Sequence, residues 1–230
     1  MNEVILKNMD NMLFETDRKA NLIYADMIYE NKDFSWIEKY WNILAPNSIF
    51  QVQTDYHTSA EVKLFLDSMK NSIFINEIIY LQEWGGTPKK GFPMKHDNIF
   101  IYSNGKDFHW DKSKIEIPKK TAGTKFDKKG TGLKTPCSVF YDIGNFSTMS
   151  KERIKKDGKN IRWQKSLSLM RRLIYPFVKK EFLIIDPFCG SGSTGVVSVE
   201  SGCDFIGIEF NKGMFEIAKK RLSRLAEYTA

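Results

Sequence analysis

No apolar run in this 230-residue sequence approaches the roughly 18 residues that a bilayer-spanning helix requires. The first residues, MNEVILKNMDNML, carry acids early and lack an apolar core followed by small residues, so they do not read as a secretory signal. Cysteine is scarce: Cys137, Cys189 and Cys203 are odd in number and show no CxxC spacing. That argues against a disulfide framework or a metal site and fits a reducing, cytoplasmic setting. Histidine is scarcer still, with His57, His96 and His109 alone, which leaves little support for nucleophilic hydrolase chemistry at Cys189. No internal repeat or low-complexity tract is found.

What is present is ordinary globular composition, 42% hydrophobic and 27% charged, enough for a full core in one sizeable domain over residues 1–230. The net charge of +7 is unevenly placed. Residues 105–160 hold fourteen Lys and Arg against seven Asp and Glu, so that segment carries the whole excess and the rest is neutral. A neutral body with one inserted basic region suits a scaffold that presents a surface to a polyanion; the alternative is a solvated, lysine-rich loop.

Elements alternate along the chain. An apolar run at 21–26, NLIYAD, reads as a buried strand, followed by a helix at 35–44 with Trp36, Ile37, Tyr40, Trp41 and Leu44 on one face. A strand at 48–53, a helix at 59–69 and two strands at 74–84 and 97–104 follow, the last two expected as an antiparallel hairpin. Periodicity is lost over 105–160 and returns with a helix at 166–177, a strand at 181–186, a helix at 193–202, a strand at 204–210 and a final helix at 213–228. Strand–helix alternation at both ends implies an α/β fold, a largely parallel sheet with helices on both faces.

The most specific local chemistry is LIIDPFCGSGSTG. A buried strand ends at Asp186, and Gly190, Gly192 and Gly195 then open a helix at G-x-G-x-x-G spacing. Such a turn needs unusual φ values and lets a ligand approach the backbone, while the helix start offers free N–H groups. Glu209 ends the next strand, where a carboxylate can hold ribose hydroxyls. The pattern fits a nicotinamide or flavin enzyme as well as an adenosyl-methionine enzyme. Asp186 tilts the choice, because its negative charge suits an ammonium and sulfonium better than a pyrophosphate, and no second nucleotide-binding half is found.

In these motifs and in their order, the sequence resembles the β-class of DNA amino-methyltransferases, the adenine-N6 type of type II restriction–modification systems. DPFCGSGST matches the family's cofactor motif, FIGIEFNKGMFEIAKKRL matches the segment after that motif, and HDNIFIYSNGK resembles the strand before the family's recognition region. IRWQKSLSLMRRLI keeps Gln164-Lys165 of the segment that precedes the cofactor strand, without the family's His-Pro-Thr. NLIYADMIY stands where the family carries Asp-Pro-Pro-Tyr, with Met27 and Ile28 in place of the prolines. The likeness covers nearly all of the chain outside 105–160. It implies a Rossmann-like methyltransferase sheet with circularly permuted motif order and S-adenosyl-L-methionine as cofactor. The implied partners are double-stranded DNA with a flipped adenine and a cognate restriction enzyme in the same system.

Residue by residue, the resemblance assigns Asp26 and Tyr29 to the target base, and the neighbouring backbone carbonyl of Met27 is the acceptor available for the second amine hydrogen. The resemblance assigns Asp186, Phe188, Cys189, Gly190, Ser191, Gly192 and Ser193 to the cofactor. Glu209 falls to the ribose, Asn211 to the adenine edge, and Lys165 with Gln164 to the methionine carboxylate. Lys89, Lys90, Lys119, Lys120, Lys125, Lys128, Lys129 and Lys134 are the candidates for DNA phosphates. The 56 residues of the basic region make a small recognition surface, which leaves room for partner subunits or a homodimer. Cytosine-N4 or RNA adenine methylation, a catalytically weak DNA-binding relative and, more remotely, a nicotinamide-dependent oxidoreductase stay open. Pro136-Cys137 and Glu30-Asn31 also occur in cytosine-C5 enzymes, but in the wrong order relative to the cofactor motif, so Cys137 is expected to be a small buried or half-buried residue.

Overall fold

A computed structural model describes residues 2–29, 32–82, 86–128, 130–143, 150–161 and 163–228, with side chains as far as Leu225. The first half contains β1 (Val4–Asn8), β2 (Ala20–Asp26), α1 (Ser35–Trp41), β3 (Leu44–Thr54), α2 (Ser59–Ser68), β4 (Ile73–Leu81) and β5 (His96–Ser103). The basic region contributes β6 (Ile117–Pro118), β7 (Leu133–Lys134), β8 (Val139–Phe140), β9 (Lys155–Lys156) and β10 (Lys159–Asn160). The chain then runs through α3 (Leu167–Ile174), β11 (Leu183–Asp186), α4 (Ser193–Glu200), β12 (Asp204–Glu209) and α5 (Lys212–Tyr228).

Eight strands form one sheet in the order β1-β12-β11-β2-β3-β5-β4-β8. Neighbours from β1 to β3 are parallel, and β5 runs antiparallel to both β3 and β4. Strand β2 shows why both faces are covered. Its alternate residues Leu22 and Tyr24 pack with Leu173, Val197, Phe205 and Leu222 beneath α3, α4 and α5. Ile23 and Ala25 pack with Trp36, Ile37, Val62 and Leu66 beneath α1 and α2. Every residue from Leu22 to Ala25 is at most 1% exposed. A side chain of this size contributes about 1.5–3 kcal/mol when buried, so a continuous apolar run is what a two-sided strand requires.

Three features depart from the sequence reading. The helix expected to reach residue 44 stops at Trp41, because Leu44 is already paired with Ala20 in the sheet and the Ala20 amide donates to the Ile43 carbonyl at 2.9 Å. Strand β1 had no clear signature, since it is a five-residue edge strand with both faces only half-buried. It gains its place by pairing with β12 from Val4↔Phe205 to Asn8↔Glu209, and Arg18 clamps the junction through Glu3 (2.7 Å) and Asp204 (2.5 Å). The basic region is partly woven into the body: β8 extends the main sheet beside β4, and Trp110 and Phe108 pack on Phe177.

The strand order reverses between β11 and β2. From β11 the chain crosses through α4 to β12 on one side, and from β2 through α1 to β3 on the other. In such sheets the crevice at the carboxyl ends of the two strands is where ligands bind, and these two strands end in Asp186 and Asp26.

Candidate active site

The turn after β11 is built around its carboxylates. Asp186 is 2% exposed; one oxygen accepts from the Phe188 amide at 2.9 Å and the other from the Thr194 hydroxyl at 2.6 Å. Gly190 (φ +51°) and Gly192 (φ +78°) take the left-handed conformations that the spacing predicted. Glu209 reaches back to accept from the Gly190 amide at 2.9 Å and from the Asn211 amide at 2.7 Å. Asn211 in turn caps α5, its side-chain oxygen accepting from the Met214 amide at 3.1 Å. Phe188 meets Trp36 edge to face at 5.0 Å. Cys189 is buried, its amide donates to Ile208, and burial pushes its thiol well above the ordinary value, which makes it a small packing residue.

Arg221 was missed by sequence reading, because nothing in the amphipathic pattern of α5 separates it from the other basic residues there. Its guanidinium donates to the Ser191 carbonyl at 3.2 Å and the Ser193 hydroxyl at 3.0 Å, bracing the turn from beneath. The Ser193 hydroxyl donates its own hydrogen bond to the Lys165 carbonyl at 2.9 Å.

Burial pushes the Asp186 carboxyl up to about 7, with Asp26 and Glu209 adding to the rise against the two hydrogen bonds that oppose it. A carboxyl whose folded value lies above its unfolded value is favourable to folding only while protonated. Its contribution is therefore lost as pH rises from the ordinary carboxylate range to about 7. Asparagine at this position can accept from Phe188 and donate to Thr194, and it carries no charge. The wild-type protein should lose thermal midpoint relative to Asp186→Asn between about pH 5 and about pH 8. A constant difference across that range would contradict the assignment.

At the end of β2 the two oxygens of Asp26 are engaged separately. The Tyr29 hydroxyl donates to Oδ1 at 3.0 Å, and the Lys165 ammonium lies 2.5 Å from Oδ2. Burial and the neighbouring Asp26 push the Tyr29 phenol far above its ordinary value, so it stays a donor. Met27 is 4% exposed, and its amide donates to the Gln53 carbonyl at 3.4 Å, a bond that proline could not make. The chain after Asp26 is thus tied to β3 by a long hydrogen bond where the family's prolines would fix it by their rings. Ile28 faces outward, 61% exposed.

A second carboxylate lies nearby. Asp97, at the start of β5, accepts from Gln53 at 2.7 Å and from Gln82, and Gln53 accepts from the Tyr24 hydroxyl at 2.6 Å. Burial raises Asp97, the Lys165 ammonium lowers it, and Asp26 raises it again.

The structure brings Asp26, Tyr29, Met27 and Lys165 to one end of the crevice and the 186–193 turn, Glu209 and Asn211 to the other. Gln164 is 6% exposed and faces elsewhere: it clamps the chain before it, accepting from the Ile154 amide and donating to the Glu152 carbonyl, both at 2.9 Å. Next to it Trp163 is 78% exposed and holds a positive φ of 65°. Phe210, directly after Glu209, is also 78% exposed. Of the candidate phosphate contacts, Lys89, Lys90, Lys120, Lys125, Lys128 and Lys134 are exposed, and Lys129 lies outside the described residues. Lys119 is engaged inside its own loop, 2.5 Å from Asp127. Cys137 is exposed rather than buried: it stands in the loop before the short edge strand β8, where its thiol donates to the Val139 carbonyl at 3.3 Å and packs against no core cluster among the described residues. The Glu30-Asn31 pair lies outside the described residues.

Strand order, β5 running antiparallel to its neighbours in the main sheet, and the glycine turn facing a strand-ending Asp define a Rossmann-like α/β fold of the methyltransferase type. The family described as DNA methylase matches residues 15–220, and the chain belongs to that family. Among curated relatives, the type II methyltransferase M.HpaI of Haemophilus parainfluenzae is 24% identical over 188 residues, 81% of this chain and 57% of that protein. The DNA adenine methyltransferase YhdJ of Escherichia coli (strain K12) is 25% identical over 235 residues, 92% of this chain and 79% of that protein. The type II methyltransferase M2.LlaDCHI of Lactococcus lactis subsp. cremoris is 46% identical over 65 residues, 28% of this chain and 24% of that protein. The matches thus span 57% and 24% of the two type II relatives. Among solved structures, M1.HpyAVI superposes with a TM-score of 0.71 at 19% identity, covering 95% of this chain and 98% of that one. The cytosine-N4-specific PvuII DNA methyltransferase superposes with a TM-score of 0.67 at 12% identity, covering 99% and 91%. Both share the fold.

Proposed function

We propose that this chain transfers a methyl group from S-adenosyl-L-methionine to the exocyclic N6 amine of an adenine flipped out of double-stranded DNA. The observation that carries this reading is the placement of Asp26 and the Asp186–Glu209 turn at adjacent strand ends of one crevice. The turn fits the cofactor. A side chain at Gly190 would meet nothing nearer than the Phe188 carbonyl at 3.8 Å, so the space above the turn is open, and two carboxylates flank it. Such a set of acceptors suits a sulfonium and ribose hydroxyls and offers a pyrophosphate no cation, which weighs against a nicotinamide enzyme.

When bound, S-adenosyl-L-methionine supplies a methyl group already activated on a sulfonium. What the chain's own residues must do is hold a weakly nucleophilic amine in line and stabilise the charge that develops on it. Asp26 accepts an amine N–H, which helps the nitrogen toward sp3 geometry as its lone pair forms the new N–C bond; the methyl–sulfur bond breaks, its electron pair stays on sulfur as the departing neutral thioether, and the surplus amine proton leaves through Asp26 to solvent. The Met27 carbonyl takes the other amine hydrogen. The Tyr29 ring packs on the base and offsets part of the few kcal/mol that unstacking costs. Glu209 holds the ribose hydroxyls and Asn211 the adenine edge.

The 105–160 region grips the duplex through phosphates, with a partner subunit or second copy sharing target recognition. A cognate restriction enzyme and a cytoplasmic site of action complete the reading. Replacing Lys125 and Lys128 together by alanine is expected to weaken DNA binding evenly across sequences and to reduce the log–log salt slope by about 2. An unchanged slope would remove those lysines from the interface. The reading itself is tested by incubating the protein with labelled S-adenosyl-L-methionine and plasmid DNA. Label in DNA supports it, and label only in RNA or none at all sinks it.

A further inference from the structure

The acids of the crevice repel one another. Asp26 raises both Asp97 and Asp186, and Asp186 also feels Glu209. Among the described residues, neither Asp97 nor Asp186 forms an ion pair, and the cation placed among these groups is Lys165. Its ammonium is in contact with Asp26, and its field also reaches Asp97. The two side chains are 14% and 19% exposed, well removed from the solvent that weakens surface pairs.

The backbone carrying Lys165 is fixed from three sides. Its carbonyl accepts from Ser193, Gln164 is clamped to 152 and 154, and Ser166 caps α3 by accepting from the Leu169 amide at 3.2 Å. A side chain launched from so rigid a base is preorganised, and it points at the end of β2. A ligand carboxylate would have to compete with Asp26 for it.

We propose that Lys165 is a positioning residue for Asp26: its ammonium fixes the carboxylate's orientation at the end of β2, and it is not the counter-ion of the cofactor's carboxylate. This rests on the methyltransferase reading and departs from the role that family resemblance gives the residue. An acceptor for the amine must be held in one orientation before the amine arrives. Lys165 holds Oδ2 and Tyr29 holds Oδ1, which leaves the second lone pair of each Asp26 oxygen free to accept.

The test compares wild type with Lys165→Met and Lys165→Arg in two measurements: kcat for methyl transfer, and the Kd for S-adenosyl-L-methionine by calorimetry without DNA. Lys165→Met is expected to lose about 10²-fold in kcat, as for other preorganised charges at a reacting centre, with Kd moving less than about threefold. Lys165→Arg, which keeps the charge, should recover part of the loss. A weakened Kd with kcat preserved, or a loss in both to the same degree, overturns the proposal. If Lys165→Met does not fold, Lys165→Gln carries the same comparison. Absence of transfer by the wild type would instead defeat the functional reading, and the calorimetric comparison would still decide between the two roles of Lys165.

Discussion

Replacing Asp26 with alanine is expected to reduce methyl transfer by about 10²–10⁴-fold, the range for removing a positioned proton acceptor. The Kd for S-adenosyl-L-methionine should stay near the wild-type value. Asp26 closes β2, and among the described residues its side-chain contacts run to Tyr29 and Lys165, with none to the 186–193 turn. Asp26→Asn sharpens the experiment. It keeps the size and one acceptor but removes the charge that stabilises the amine as it becomes cationic, so it should lose nearly as much as alanine. Single-turnover rates with excess enzyme separate this loss from any change in DNA release. Normal turnover in either variant would refute the catalytic role.

The second large effect is expected at Glu209. Its carboxylate accepts from the amides of Gly190 and Asn211, and so fixes the turn to the start of α5 before any ligand arrives. In the proposed complex the remaining lone pairs accept from two ribose hydroxyls. Hydrogen bonds to a charged acceptor are worth about 1.5–3 kcal/mol each, so Glu209→Ala should weaken cofactor binding by about 10²-fold or more. Here kcat at saturating cofactor should fall much less than the affinity does, the reverse of the Asp26 pattern. Unchanged affinity in the alanine variant would remove Glu209 from the cofactor site.

The three carboxylates differ in how legible they were. Asp186 and Glu209 could be placed from sequence because strand, glycines, helix and distal acid lie within one contiguous unit, where local rules of φ and spacing govern. Asp26 had only a buried run behind it, and its assignment leaned on the order of motifs across the whole chain. The α/β class and the β4–β5 pairing were legible because apolar periodicity survives in each element. Strand β1 was not legible, since an edge strand is decided by its partner β12 and not by its own pattern. The early end of α1 has a similar cause: sheet pairing at Leu44 overrides a helical face that the residues alone would continue.

Side-chain partnerships across the chain were the least legible. Nothing local says that Lys165 meets Asp26, that Arg221 braces Ser191 and Ser193, or that Gln164 holds the backbone at 152–154. Each depends on which segments the sheet order brings together. The missing prolines are also better understood with the fold in hand. The Met27 amide makes the bond to Gln53 that ties the segment to β3, so the substitution removes ring rigidity and adds a sheet contact.

The central claim is that the crevice between β2 and β11 methylates the amine of adenine in DNA. The most direct test incubates plasmid DNA with S-adenosyl-L-methionine and either wild-type protein or Asp26→Asn, digests the DNA to nucleosides and identifies the modified base by mass. N6-methyladenine is expected with wild type and almost none with Asp26→Asn. N4-methylcytosine in place of N6-methyladenine, or equal methylation by both proteins, would contradict it.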